Sequence, residues 1–123
     1  MPSILLVTTK KDDFSVFAAV LKEHDDIDLS WAESGSKALD MASGRAFDLM
    51  VTDEELEDMT GLELTLKLLS VNPMINSASV SSLSTRDFHE ASEGLGLIMQ
   101  LPSPPGRDKA EELIERLRKI MGL

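Results

Sequence analysis

The chain has 123 residues, no cysteine, and 12 basic against 22 acidic side chains, a net charge of −10. That length fits one domain, residues 1–123, able to bury roughly two thirds of its unfolded surface. Disulfides and thiolate metal sites are excluded, and the charge opposes nucleic-acid binding, which depends on neutralising phosphates. No apolar run approaches the roughly 18 residues of a membrane span, and the N-terminus does not read as a signal peptide. The expectation is a cytoplasmic protein, away from membranes, whose partners are other proteins.

Ile4-Leu5-Leu6-Val7 is an unbroken apolar run, as expected for a central parallel strand covered on both faces. Thr8-Thr9-Lys10-Lys11 turns the chain, and Asp12 or Asp13 is expected to cap a first helix carrying Phe14, Phe17, Ala18 and Leu21 at helical spacing. Ile27, Leu29 and Trp31 alternate with polar residues and predict a half-buried edge strand. Ser34 or Ser36 caps a second helix with Ala38, Leu39 and Ala42 inward and Gly44 as its stop. Leu49-Met50-Val51 predicts a buried strand that stops at Thr52-Asp53, followed by the acidic loop Glu54-Glu55-Leu56-Glu57-Asp58. Thr60 and Glu63 have capping-box spacing, and Leu62, Leu66 and Leu69 are read as the buried stripe of the third helix, which Asn72-Pro73 closes. Met74 to Val80 is a fourth strand, unusually polar. Ser84 or Thr85 caps a short helix bearing Phe88 and Ala91, and Gly94 and Gly96 break it before the strand Leu97-Ile98-Met99. After a loop with Pro102, Pro104, Pro105 and Gly106, Asp108 is expected to cap a last helix with Ala110, Leu113, Leu117 and Ile120 inward, ended by Gly122. Five strands alternating with five helices imply an α/β fold. It is a five-stranded parallel sheet, order 2-1-3-4-5, with five helices on two faces.

Asp53 therefore sits at the carboxyl end of a buried strand, the edge where open α/β sheets bind ligands. Asp53 and Gly61 eight residues later, with Met59 between them, resemble the receiver domain of bacterial two-component response regulators. In that family a phosphoacceptor Asp ends the third strand and such a Gly opens the third helix. Ser34-Gly35-Ser36-Lys37-Ala38-Leu39, Phe47-Asp48-Leu49 and the Gly94 to Pro102 spacing extend the resemblance over nearly the whole length. The family's Pro-Gly inside the acidic loop is replaced by Glu57-Asp58. The implied fold is the flavodoxin-like receiver fold. The implied role is signalling in a phosphorelay rather than enzyme catalysis, with a histidine kinase or an output domain as partner.

The resemblance also implies what the site should contain: an acidic pair for Mg²⁺, a Lys ending the fifth strand, a hydroxyl ending the fourth, and a switch aromatic on the fifth. By this alignment the acidic pair is Thr8-Thr9, the Lys position is Leu101, the aromatic position is Ile98, and the hydroxyl is Ser81 or, in another register, Ser79. Phosphoryl transfer works by positioning and charge neutralisation. A charge-assisted hydrogen bond is worth roughly 1.5–3 kcal/mol, so losing the Lys alone implies a loss of about tenfold to more than a hundredfold. The expectation is a degenerate pseudo-receiver without cofactor. The alternative is a conventional phosphoacceptor at Asp53, with Mg²⁺ held by Asp13, Asp53 and Glu55.

Thr8 to Lys11 beside a helix start could favour an anion. No glycine there brings the backbone near a phosphate, which argues against a nucleotide or flavin site. His24 and His89 are read as surface residues, Trp31 and the methionines as packing. Glu111, Glu112, Glu115, Arg116, Arg118 and Lys119 are read as a solvated face. A homodimer through the fourth helix, fifth strand and fifth helix, using Arg116 or Arg118, is a further expectation.

Overall fold

A computed structural model describes residues 2–123. Its strands are β1 (Ser3–Val7), β2 (Asp28–Ala32), β3 (Leu49–Thr52), β4 (Asn76–Val80) and β5 (Leu97–Leu101). Its helices are α1 (Ser15–Lys22), α2 (Gly35–Gly44), α3 (Gly61–Val71), α4 (Thr85–Ala91) and α5 (Arg107–Met121). All strand pairings are parallel, in the order β2-β1-β3-β4-β5.

The unbroken apolar runs have a direct cause: both sheet faces are covered, so alternate residues feed two different cores. Ile4, Leu6, Leu49, Val51, Ala78 and Val80 face the layer holding α1 and α5. Leu5, Val7 and Met50 face the layer holding α2 and α3. The polarity of β4 has the same origin. Ala78 and Val80 face the first layer, while Ser77 and Ser79 on the opposite face are buried where α3 approaches closely.

Several local expectations are corrected by packing. Asp12 and Asp13 do not cap α1; they lie in a 3-10 turn, Lys11–Phe14, and α1 begins without a side-chain cap. Asp108 sits in the first turn of α5 behind an uncapped Gly106. Gly44 is the last residue of α2, followed by extended Arg45 rather than forming a left-handed stop. On α3 the buried residues are Gly61, Leu64, Thr65 and Leu68, whereas Leu66 is 59% exposed. On α5, Ile114 is buried and Ile120 faces outward. Ala91 is exposed, which leaves Phe88 as the buried residue of α4. Leu39 and His24 are half-buried, and His89 is exposed. The Ser34 cap, the full Thr60–Glu63 capping box and the left-handed Gly122 stop all form as expected.

Helix α5 is tied to the end of α1 by two bidentate pairs, Arg107 with Glu23 and Arg118 with Asp26. Hydrogen bonding to Arg118 holds the Asp26 carboxyl down at about 2, against an ordinary value of 3.8, and Arg107 likewise lowers Glu23. Both folded values lie below the unfolded ones. Their stabilisation is therefore complete above the ordinary carboxylate range and is lost as pH falls through the lowered values. The thermal midpoint is expected to fall between about pH 4.5 and pH 2, and more gently in Arg118→Ala; an unchanged slope in that variant would remove the pair as the cause.

Candidate functional site

The site lies at the carboxyl ends of β1, β3 and β4, where the chain leaves a buried sheet and its polar groups must find partners. Asp53 follows β3 directly, and its amide donates to the Val7 carbonyl, which fixes it beside the end of β1. Both carboxylate oxygens are engaged. The Thr8 hydroxyl donates to Oδ2 at 2.8 Å, and the Glu54 amide donates to Oδ1 at 2.9 Å. Thr8 is itself buried, and its hydroxyl accepts from the Lys10 amide at 2.9 Å.

Asp53 opens onto a cleft of about 500 Å³ that Thr9, Lys10, Asp13, Glu55, Glu57 and Ser103 also line. Lys10 is the one cation among its lining residues. Asp13, Asp53 and Glu55 share the cleft, yet among the described residues no three His, Asp or Glu side chains gather closely enough to hold a metal ion.

Two positions expected from the sequence fall elsewhere. Leu101 is fully buried in the α1/α5 layer, and the residue beyond β5 that reaches the cleft is Ser103. Ile98 packs against that same layer and gives its carbonyl to Arg116 at 2.6 Å. The cause is a bulge. Ser77 pairs with Leu97 and Ala78 with Met99, so Ile98 is an extra residue in the ladder. The β5 side chain that touches the β4–α4 loop is Gln100, whose amide donates to the carbonyls of Leu83 (2.8 Å) and Ser81 (3.3 Å). Of the two candidate hydroxyls, Ser79 is buried and donates to the Val80 carbonyl. Ser81 lies at the rim, with its hydroxyl 3.4 Å from Glu54 Oε2.

The acidic loop is anchored at both ends. Asp58 accepts the Gly35 and Ser36 amides, each at 2.9 Å, and so satisfies orphan donors at the start of α2. Those bonds, Ser36 first and Gly35 second, hold its carboxyl below the usual range. At the other end the Gly61 amide donates to the Glu54 carbonyl, and a side chain at Gly61 would overlap the carbonyl of Asp53. Gln100 and Ser103 enter the site without any motif that marks them, because each is placed by a neighbouring strand or loop. Arg116 and Arg118, expected at a dimer surface, are bound within the chain to the Ile98 carbonyl and Glu112, and to Asp26.

Compared with known proteins, the chain matches the response regulator receiver domain family model over residues 4–115. It is 30% identical over 104 residues to a response regulator receiver protein of Anaeromyxobacter sp. strain Fw109-5, an alignment covering 85% of this chain and 43% of that one. The chain thus spans less than half the length of that relative. Two solved structures share the fold. One is a two-component response regulator from Clostridium difficile, with TM-score 0.85, 17% identity and full coverage of both chains. The other is a CheY-like receiver domain protein from Methanospirillum hungatei, with TM-score 0.82, 22% identity, and 97% and 95% coverage. The order β2-β1-β3-β4-β5, the rim carboxylate at Asp53 and the family match over residues 4–115 agree, and the chain belongs to the response regulator receiver domain family.

Proposed function

We propose that this receiver is a protein-interaction module whose conformation is set by protein partners, with Mg²⁺-dependent phosphorylation of Asp53 impaired. The observation that carries this reading is the Thr8 hydroxyl on Asp53 Oδ2, where an acid would be needed to hold a cation. A neutral hydroxyl screens no phosphoryl charge. Neither Leu101, buried, nor Ser103, at the cleft, supplies the missing ammonium. In this reading the domain works without catalysis, in the cytoplasm, against a histidine kinase or an output domain. No helix of the described residues is long and apolar enough to cross a membrane, which is compatible with that placement. A homodimer through α4, β5 and α5 would have to form with Arg116 and Arg118 already committed within the chain.

One observation favours a second reading, a conventional phosphoacceptor. Asp53 is only half-buried and shares an open cleft with Lys10. Intact mass after incubation with Mg²⁺ and acetyl phosphate separates the two. Under the first reading less than about a tenth of the chain is expected to gain a phosphoryl group, in keeping with the lost charge-assisted contacts. A stoichiometric adduct that disappears in Asp53→Ala would establish the second.

A further inference from the structure

Glu54 is the residue in the site that neither reading uses. Its Oε2 accepts the Ser82 amide at 2.9 Å and the Ser82 hydroxyl at 3.0 Å, and the Ser81 hydroxyl lies 3.4 Å away. A side chain from the β3–α3 loop therefore holds a carboxylate against the start of the β4–α4 loop. The two Ser82 donors converge on one charged oxygen with the Ser81 hydroxyl beyond them, and charge-assisted bonds are about twice as strong as neutral ones.

The same loop is held from the opposite side. Gln100 donates to the carbonyls of Ser81 and Leu83, and the Leu83 amide donates to the Ser81 hydroxyl. Residues 81–83 are thus gripped between β5 and the β3–α3 loop, immediately before Ser84 caps α4. Helix α4 has 7 residues and buries only Phe88 among them, so little packing of its own fixes its placement. Its position follows from the loop that introduces it.

We infer that Glu54 is a built-in anion. Its carboxylate fills the donors of Ser81 and Ser82, clamps the β4–α4 loop and sets α4 in one position. It also withholds those donors from any incoming phosphoryl or carboxylate group. The inference deepens the proposed function and rests on it for the view that a protein partner, rather than a phosphoryl group, would move this loop. The mass measurement on Asp53 and the measurement below fail separately.

Amide hydrogen exchange on the whole 123-residue chain tests the clamp, with Leu5 and Leu6 of the central strand as folding references. In Glu54→Ala, exchange at Ser82 is expected to quicken about tenfold or more while the reference amides stay protected. Adding sodium acetate to that variant, against sodium chloride at equal ionic strength, is expected to restore part of the protection at Ser82. Glu54→Gln, neutral but similar in shape, is expected to fall between wild type and Glu54→Ala. Exchange at Ser82 within twofold of wild type in Glu54→Ala would overturn the clamp, on the scale of a single bond. Full protection in Glu54→Gln, or no response to acetate, would overturn the role of the charge.

Discussion

Leu101→Lys is expected to destabilise the chain by about 3 kcal/mol or more, whereas Ser103→Lys changes stability by less than about 0.5 kcal/mol. Leu101 is fully buried, clustered with Val80, Met99 and Leu113 beneath α1 and α5. An ammonium there loses its hydration among apolar side chains, and the contacts of the leucine are lost with it. Ser103 is exposed at the mouth of the cleft with Asp53, so a lysine there keeps its water and gains carboxylate neighbours. Urea denaturation of the two variants measures the difference. If Leu101→Lys were tolerated and Ser103→Lys were not, the end of β5 would be placed wrongly. The pair also separates two ways of placing a cation near Asp53. A lysine intended to face Asp53 belongs at position 103, and only that variant, combined with Thr8→Asp and Thr9→Asp, is expected to raise phosphoryl uptake.

Gly61→Ala is expected to cost about 1–3 kcal/mol and to shift the amide resonances of Asp53 and Glu54. The glycine opens α3 with its backbone against the chain it has just left. An added Cβ would overlap the Asp53 carbonyl and lie 2.9 Å from Thr52 Cγ2 and 3.1 Å from Ser79 Oγ. A backbone carbonyl cannot swing aside as a flexible side chain can, so either α3 or the Asp53 peptide must move. Gly44→Ala provides the control. That glycine closes α2 with nothing within 4 Å of an added Cβ, and alanine there is expected to stabilise by about 0.5 kcal/mol. Equal effects at the two positions would show that helix propensity, not the contact with Asp53, sets the cost at Gly61.

The elements most legible in the sequence are those fixed by neighbours in the chain. The run Ile4 to Val7 has to be a strand covered on both faces, and Thr60 with Glu63 has to cap a helix, because the groups that satisfy each other are a few residues apart. The α3 stripe was not legible. Leucines stand at 62, 64, 66, 68 and 69, nearly all around the helix, so spacing cannot choose a face. The close approach at Gly61 fixes the start of α3 against the sheet, and Leu64 and Leu68 turn inward. Which way the β5 side chains face is not legible in the sequence either. The single extra residue at Ile98 changes which β5 side chains face which layer, and the ladder with β4 decides that.

By itself the sequence determined an alternating α/β chain with Asp53 at the end of its third strand and Thr8 at the end of its first. Tertiary structure alone decided how the surrounding polar groups are shared. Asp58 went to the start of α2, Glu54 to Ser81 and Ser82, Gln100 to the β4–α4 loop, and Ser103 to the cleft. The reason is physical. An apolar run or a cap is specified within a few residues, but a carboxylate among five in one loop finds its donors only when strands from distant parts of the chain set the distances.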